Sequence, residues 1–159
     1  MTELVDRDAF KRAMRCWPSG VTVVTSRAGD VIHGMTVSAF NSVSADPPLV
    51  LVCANQDSTT HEVIWAGKVF AVNILAGDQE AISQRFAFAP ADERFNDVEW
   101  VDGRNGAPLI AGALAHIECR VRSAHAEGTH TIYIGEVLDT HVIEGTPLVY
   151  YDGAYRKLV

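Results

Sequence analysis

Hydroxyl side chains recur along residues 33–44 at a spacing that suits the binding of a polar ligand. The positions that alternate there with small apolar residues hold Thr36, Ser38, Ser42 and Ser44. Successive side chains of a β-strand point to opposite faces, so a strand of this kind presents hydroxyl and backbone N–H groups together. These groups can bind the polar edge of a flat ring or a phosphate. The same pattern also fits a strand whose Ser/Thr face is only solvated, and spacing alone favours that simpler interpretation.

A second polar cluster, residues 55–60, lies between an apolar run and a predicted helix. Helix N-termini carry free N–H groups and the positive end of the helix dipole, and both attract phosphates. One of Asp57, Ser58 or Thr59 must also cap this helix. Because capping and phosphate binding are compatible, the cluster predicts a capped helix that can in addition hold an anion.

Two further positions suit a ligand that carries both charge and rings. Arg85 and Phe86, near the end of the third predicted helix, offer a guanidinium for a phosphate and an apolar wall for a ring. His130 lies at the start of a predicted strand, where it can position a polar substrate. Each has a simpler alternative: a surface arginine beside a core phenylalanine, and an exposed histidine.

Several familiar sites are missing from the sequence. No Gly-x-Gly-x-x-Gly follows the first strand and no Gly-x-x-x-x-Gly-Lys-Ser/Thr occurs, so the Rossmann fingerprint and the P-loop are both absent. The six histidines show no His-x-x-x-His spacing, and the serines form no Gly-x-Ser-x-Gly elbow. A metal site and hydrolase chemistry are therefore not predicted, and any nucleotide must be bound in another way.

Strands dominate the predicted elements that must position these residues. The predicted helices cover 6–17, 58–65 and 78–88, and the predicted strands cover 21–25, 31–40, 49–54, 69–75, 113–122, 129–140, 148–151 and 154–157. Asp152-Gly153 predicts a two-residue hairpin turn between the last two strands. Residues 89–108 predict a long surface loop. Because the strands are not each followed by a helix, a mostly antiparallel barrel with peripheral helices fits best.

Polar and apolar residues alternate most regularly along residues 113–122. One face carries Ala113, Ala115, Ile117, Cys119 and Val121, and the other carries Leu114, His116, Glu118, Arg120 and Arg122. This alternation predicts a half-exposed strand of an antiparallel sheet, with the second set in solvent.

Composition excludes several classes of protein. The chain has 159 residues, which predicts one domain over 1–159, and its 13 basic and 20 acidic residues leave a net charge of −7. Such a chain has no general attraction to nucleic acid or anionic membrane, although a small basic patch over a phosphate is compatible with it. No apolar run is long enough for a membrane span and no signal peptide is recognised. The cysteines Cys16, Cys53 and Cys119 are far apart, which indicates reduced thiols in a cytoplasmic protein.

Seven short motifs, taken in this order, resemble the short-chain flavin reductase family. These proteins are the reductase components that supply reduced flavin to two-component flavin-dependent monooxygenases. The resemblance spans nearly the whole chain, and its motifs lie at 17–25, 33–40, 46–51, 70–75, 112–115, 129–136 and 151–155. It implies a mostly β fold with peripheral helices: an antiparallel, Greek-key-like split β-barrel that binds FMN, forms a homodimer and holds flavin near the subunit interface.

The resemblance also implies a set of binding residues. Those expected along the isoalloxazine ring are His33, Gly34, Met35, Thr36, Val37, Ser38 and Ala39. Those expected at the ribityl chain and phosphate are Cys53, Ala54, Asn55, Ser58, Thr59 and Thr60. Arg85 and Phe86 match a further flavin contact. His130 matches a histidine on the nicotinamide side, and Gly153 and Tyr155 lie in the segment that closes over it.

The activity implied by the resemblance is NAD(P)H:flavin oxidoreduction. Hydride passes from C4 of the nicotinamide of NADH or NADPH to N5 of FMN or FAD, so the cofactors carry the chemistry and no protein nucleophile is needed. The sequence departs from many members in one place: it has Gly128-Thr129-His130 where they have Gly-Asp-His. Other interpretations stay open: an enzyme that retains its flavin and reduces another acceptor, a flavin-binding carrier or sensor without turnover, and a structural dimerisation domain.

Overall fold

Twelve strands and three α-helices make up the chain, all 159 residues of which are described by the computed structural model. The helices are α1 (Arg7–Arg15), α2 (Thr59–Gly67) and α3 (Glu80–Phe88), and a 3₁₀ turn covers Ala91–Glu93. The first six strands are β1 (Ser19–Gly20), β2 (Thr22–Ala28), β3 (Val31–Val37), β4 (Phe40–Ala45), β5 (Pro48–Asn55) and β6 (Val69–Ile74). The remaining strands are β7 (Trp100–Asp102), β8 (Pro108–Ile110), β9 (Ala115–Glu127), β10 (His130–Val142), β11 (Val149–Tyr151) and β12 (Ala154–Arg156).

Seven of these strands form one antiparallel sheet in the order β3-β2-β6-β9-β10-β5-β4. Its two edge strands, β3 and β4, follow one another in the chain and are separated only by residues 38–39. A two-residue connection spans only about 10 Å, so the sheet must curl until its edges approach each other. The amide of Cys53 donates to the carbonyl of Ala39 over 3.0 Å and holds this connection against β5. The prediction of a mostly antiparallel β fold with peripheral helices is confirmed.

Strand β2 is buried on both faces of the sheet. Val24, Val52 and Tyr133 belong to an inner cluster enclosed by the curled sheet. Val23 and Phe86 belong to a second cluster, between the sheet and α3. Neighbouring residues of β2 thus enter different cores, which explains why this β-branched run is buried along most of its length.

The C-terminal strands form a small separate sheet in the order β1-β11-β12. The turn between β11 and β12 has φ angles of 50° at Asp152 and 76° at Gly153. Positive φ at both central residues is the requirement of the favoured two-residue hairpin turn. The predicted Asp-Gly hairpin is therefore confirmed, and its tip reaches the region of Ser38.

The prediction of a solvent-exposed face on β9 is wrong at Glu118, which is only 5% exposed. The segment predicted as a loop contains β7, which pairs with β8. The residues between these two strands cover Glu118. The amide of Asn105 donates to Glu118 Oε2 over 2.9 Å, and the Asn105 side chain donates to the carbonyls of Phe70 and Cys119 over 3.0 Å each. The residues between β7 and β8 thus cover Glu118, which the alternation predicted to be in solvent.

The apolar side chains of helix α1 are exposed to solvent. Asp6 caps it, accepting a hydrogen bond from the amide of Ala9 over 2.7 Å. None of its residues is buried, and Phe10 is 57% exposed. Trp17, just beyond the helix, is 72% exposed. This amphipathic helix therefore presents an uncovered apolar face.

None of the helices combines the length and apolar character needed to cross a bilayer.

Candidate functional site

Two clefts meet at a shared wall made of Ser38, Tyr150 and Gly153. The α1 cleft lies between α1, the start of β4 and the β11–β12 hairpin, and the α3 cleft lies between α3, β3 and the same hairpin. Each has a volume of about 620 Å³. This lies within the range of about 300–1,000 Å³ typical of small-molecule sites. The predicted residues Thr36, Ala39 and Tyr155 each line one of the two clefts.

Strand β3 does not present the predicted ring-lining residues on one face. Met35 and Val37 pack into the inner cluster. Gly34 faces the opposite way, toward Phe86 and Thr25. His33, Gly34 and Val37 are buried, whereas Ser38 and Ala39 are exposed. In this structure Thr36, Ser38 and Ala39 line the clefts, and the buried residues of the segment support them from behind.

A chain of hydrogen bonds lines the α3 cleft. The hydroxyl groups of Tyr155 and Ser83 lie 2.7 Å apart, and Thr36 Oγ1 donates to the carbonyl of Ser83 over 2.5 Å. The ring of Tyr150 packs edge-on against that of Tyr155, with centroids 5.3 Å apart. Glu80 is the one charged side chain in the lining. A neutral to acidic cleft with several hydroxyl groups suits an uncharged, flat, hydrogen-bonding group better than a phosphate.

The start of α2 has the geometry expected for a capped helix. Ser58 is the N-cap, and its Oγ accepts from the amide of His61 over 3.1 Å. The capping prediction is confirmed, and Ser58 is the residue that performs it. Thr60 is buried and its Oγ1 lies 2.7 Å from His33 Nδ1, whereas Thr59 and Asn55 are exposed. Only part of the predicted phosphate segment therefore faces solvent.

His130 lies beside this segment. It opens β10, and its register partner on β5 is Asn55. Its ring is exposed, with Nδ1 2.9 Å from Thr129 Oγ1, and its carbonyl accepts from Gln56 Nε2 over 2.9 Å. His130 lies two residues along β10 from Ile132, which pairs with Cys53. That offset corresponds to about 7 Å, so the structure brings His130 close to the predicted flavin segment.

Arg85 and Phe86 do not lie together at an open site. Arg85 is half-buried, and its guanidinium donates to the carbonyl of Glu93 over 3.3 Å. Phe86 is fully buried, and its ring packs edge-on against Phe95 with centroids 5.0 Å apart. The ring cannot form the predicted ligand wall in this arrangement, because it lies behind β3. There it fills the space left by Gly34, where a Cβ would come within 2.9 Å of it.

Arg94 is a residue of this region that the sequence did not indicate. Its guanidinium donates to the carbonyl of Gly34 over 2.9 Å and to that of Ala89 over 3.0 Å. It thereby fastens residues 89–94 onto β3. Burial lowers the pKa of His33, and the charge of Arg94 lowers it further, whereas the Ala91 backbone opposes the shift. Arg94 occurs in a stretch with no helical or strand periodicity, so nothing local in the sequence marks this role.

Replacement of His33 by asparagine is expected to reduce acid sensitivity. The pKa of folded His33 lies below its ordinary value of 6.5. As the pH falls below 6.5, the unfolded chain takes up a proton at His33 more readily than the folded chain does, so the free energy of unfolding falls. Well above pH 6.5 neither state is protonated at His33, and its contribution to stability does not change with pH. We expect His33→Asn to cost about 1–2 kcal/mol near pH 7 and to lose less stability on acidification. Urea unfolding at several pH values measures both effects.

The exposed His125→Asn variant serves as the control for this prediction, since it makes the same substitution at a histidine on the surface. It should leave the pH dependence of the wild type nearly intact. An unchanged acid response in His33→Asn would contradict the role assigned to burial.

The thiols near the sheet are poorly suited to nucleophilic chemistry. Burial raises the pKa of Cys53, and burial together with the charge of Glu118 raises that of Cys119 to about 12. Burial also raises the pKa of Tyr133 to about 12, and the Tyr133 hydroxyl lies 2.8 Å from His61 Nδ1. These groups stay protonated at neutral pH, and the thiolate is the reactive form of cysteine. The site can therefore bind and orient ligands without a nucleophile of its own.

A family model described as the flavin reductase like domain matches residues 14–159. The flavin reductase (NADH) of Kitasatospora aureofaciens is 45% identical over 159 aligned positions, which cover 97% of this chain and 83% of that protein. The reductase component of the FADH(2)-dependent resorcinol hydroxylase of Rhizobium sp. strain MTP-10005 is 43% identical to this chain. The alignment covers 92% of this chain and 84% of that protein.

A solved structure of a flavin reductase also resembles this chain closely. The NADH:FAD oxidoreductase SgcE6 of Streptomyces globisporus C-1027, in complex with NAD and FAD fragments, superposes with a TM-score of 0.91 and 40% sequence identity. The match covers 99% of this chain and 98% of that one. The superposed region therefore takes in nearly all of this chain.

Proposed function

The chain belongs to the flavin reductase-like family, and from this premise we propose that it is an oxidoreductase that transfers hydride from NADH to free FMN or FAD. The observation that carries the proposal is the meeting of two clefts of different character at Ser38, within a family whose members reduce flavin. Two substrates must lie against each other for hydride transfer, and a shared wall brings two bound groups together. The fold implied by the sequence resemblance is confirmed by this membership.

In this proposal the chain contributes position and environment. Ser38 and Ala39 lie against the flavin ring, with Thr36 and Tyr155 supplying hydroxyl groups at the α3 cleft. The N-terminus of α2 would hold the flavin phosphate through its free N–H groups. His33, Gly34 and Phe86 lie behind these residues and hold β3 in place. A bound flavin supplies the hydride-accepting chemistry, while the protein residues bind, orient and exclude water.

His130 is proposed to position the nicotinamide, since it is exposed beside Asn55 and is held by Thr129. We expect His130→Ala to lower kcat/KM for NADH about tenfold without abolishing turnover, because the residue orients a substrate and takes no part in bond making. Flavin affinity should stay unchanged. Steady-state kinetics with varied NADH, together with flavin titration, give both values.

His125 provides a matched control, because it is an exposed histidine on the facing strand of the same hairpin. His125→Ala should retain wild-type kinetics. A His130→Ala variant with an unaltered steady-state rate would remove His130 from the site.

The partner of this enzyme is proposed to be an oxygenase that consumes reduced flavin, as the name of the Rhizobium relative indicates for that protein. The proposal requires the flavin to leave after reduction. An anaerobic transfer assay tests this directly: a dialysis membrane holds the enzyme, NADH and flavin on one side, and the absorbance of reduced flavin is followed on the other. Arrival of reduced flavin on the far side supports the supply role, and a flavin that never dissociates refutes it.

Homodimer formation is also proposed, with residues 1–159 as one domain of the family. Support comes from β10, which pairs with β5 only as far as Glu136 and leaves one edge free beyond it. Leu138 and Val142 are exposed on this free portion. A free strand edge with apolar side chains is a pairing surface. Light scattering that shows a stable, active monomer would overturn the proposal.

A cytoplasmic location is proposed as well. The cysteines are free thiols, and thiols of this kind persist in reducing compartments. Fractionation of the native cells with an antibody against the chain tests the location; recovery outside the cytoplasmic fraction would contradict it.

A further inference from the structure

The hairpin of β9 and β10 carries His130 directly after a tight turn. Only Gly128 and Thr129 lie between the two strands. The φ angle is 59° at Gly128 and is not positive at Thr129. A two-residue turn with glycine at a positive φ in its first central position is one of the favoured hairpin turns, because its twist matches that of the strands. The backbone that leads into His130 is therefore closely defined.

Gln56 ties this turn to the end of β5. Its amide donates to the carbonyl of Thr129 over 3.0 Å, and its side-chain Nε2 donates to the carbonyl of His130 over 2.9 Å. The Gln56 side chain is half-buried. One residue of a neighbouring segment thus holds two consecutive carbonyl groups at the tip of the hairpin.

The segment that carries Gln56 is fixed in turn. The carbonyl of Asn55 accepts from the amide of Ser58 over 3.0 Å and from Ser58 Oγ over 2.7 Å. The Asn55 side chain accepts from the amide of Asp57 over 2.9 Å. A residue on a segment held in this way can place its neighbour with the precision that a reaction site needs. Because residues 55–60 include those expected at the flavin phosphate, Gln56 joins the flavin segment to His130.

Thr129 acts on the ring of His130. Its Oγ1 lies 2.9 Å from His130 Nδ1. A neutral imidazole has one donor and one acceptor nitrogen, and the partner of one nitrogen decides which of them carries the hydrogen. When the Thr129 hydroxyl donates to Nδ1, the hydrogen of the ring lies on Nε2, which is then a donor for an acceptor group of a substrate. The bond thus sets both the orientation and the tautomer of the ring.

We propose that Gln56 and Thr129 are positioning residues for hydride transfer: Gln56 holds the backbone of His130 against the flavin segment, and Thr129 holds its ring with the hydrogen on Nε2. The inference rests on the proposed function, in which His130 orients the nicotinamide. Both residues act through His130 and neither contacts the reacting atoms. Together they form a rigid link between the binding places of the two substrates.

Steady-state kinetics with varied NADH and saturating FMN test this assignment. Gln56→Met keeps the length of the side chain and removes its N–H groups, and Thr129→Val keeps the shape and removes the hydroxyl. Each should lower kcat/KM for NADH about three- to fivefold, less than His130→Ala does, because the imidazole is still present. Gln56→Lys and Thr129→Ser, which retain a donor, should recover most of the wild-type value.

Double variants show whether the two residues act through His130. In the His130→Ala background neither Gln56→Met nor Thr129→Val should lower kcat/KM further, whereas independent residues would multiply their losses. Ser123→Ala is the matched control, since Ser123 Oγ lies 3.1 Å from His125 Nε2 and forms a second hydroxyl–imidazole pair on the same hairpin. This variant should keep wild-type kinetics.

NMR spectroscopy provides readouts that need no turnover. In protein with isotope-labelled histidine, at about pH 8.5, where an ordinary histidine is neutral, His130 should carry its hydrogen on Nε2 alone. Thr129→Val should give a mixture of the two tautomers, and loss of the signal in His130→Asn assigns it. Gln56→Met should raise the amide hydrogen-exchange rate of His130 at least fivefold, because the tip of the hairpin opens more readily. Gln56→Lys should not raise it.

The two assignments fail separately. A wild-type His130 with mixed tautomers, or with its hydrogen on Nδ1, would overturn the role of Thr129. Losses that multiply in the His130→Ala background, or a Gln56→Lys variant as slow as Gln56→Met, would overturn the role of Gln56. An effect of Ser123→Ala as large as that of Thr129→Val would overturn the link to His130. A wild type with the expected tautomer and exchange rates but no NADH oxidation would refute the proposed function and leave the fixed geometry of His130 standing.

Discussion

Replacement of Ser38 by tryptophan is expected to lower flavin-dependent NADH oxidation by about a hundredfold or more. Ser38 lies in the wall shared by the α1 and α3 clefts and is the first residue of the two-residue connection between β3 and β4. An indole at this position fills space that both substrates need. Misplacing reacting groups by about 1 Å costs roughly a hundredfold in rate, and exclusion of one substrate costs more. Steady-state kinetics and a flavin titration measure the loss.

Stability should change little in this variant, because the Ser38 side chain is exposed and accepts a larger group into open space. Asp30→Trp is the control, since Asp30 is an exposed position in the turn between β2 and β3. It adds the same ring without touching either cleft. Wild-type kinetics in Ser38→Trp, with the fold intact, would show that neither substrate uses the shared wall.

Replacement of Gly67 by alanine is expected to be strongly destabilising. Gly67 ends α2 where the helix meets β2, and a Cβ there would fall far inside the contact distance of the Arg27 carbonyl oxygen. The neighbouring atoms are backbone, which cannot move aside as a flexible side chain can. Overpacking of this kind costs about 3 kcal/mol, which offsets the gain of about 1 kcal/mol from the better helix propensity of alanine. Urea unfolding measures the difference.

Gly20→Ala is the matched control, because no atom lies within 4 Å of the Cβ that it would add. Its free energy of unfolding should stay within about 0.5 kcal/mol of the wild type. A Gly67→Ala variant as stable as Gly20→Ala would mean that α2 does not approach β2 as closely as described.

Local sequence patterns predicted those turns and strands whose conformation is determined by neighbouring residues in the chain. The Asp152-Gly153 turn was predictable because two positive φ angles demand these residue types. The strand at Val23–Val24 was predictable because β-branched residues suit a strand buried on both faces. The family motifs then implied the split-barrel architecture, which no local pattern contains.

Features made by distant contacts were not predictable from the same patterns. Glu118 has the alternation of an exposed residue, and it is buried because Asn105 closes over it from a separate hairpin. For Phe86 the sequence left open a ligand wall and a core position, and the structure places its ring in the core against Gly34. Arg94 binds the Gly34 carbonyl from sixty residues away. In each case the burial or contact of the residue is set by a segment distant in the sequence. Where that segment packs on the sheet depends on the whole fold.

The most direct test of the central claim is NADH oxidation by the purified protein with added free flavin. The protein is mixed with NADH or NADPH and with FMN, FAD or riboflavin, and the absorbance of the reduced nicotinamide is followed. We expect many turnovers per subunit, with NADH and with FMN or FAD, and no oxidation without added flavin. Flavin binding without oxidation in any combination would contradict the account and indicate a carrier or sensor; absence of both would mean that the chain shares the fold of the family without its activity.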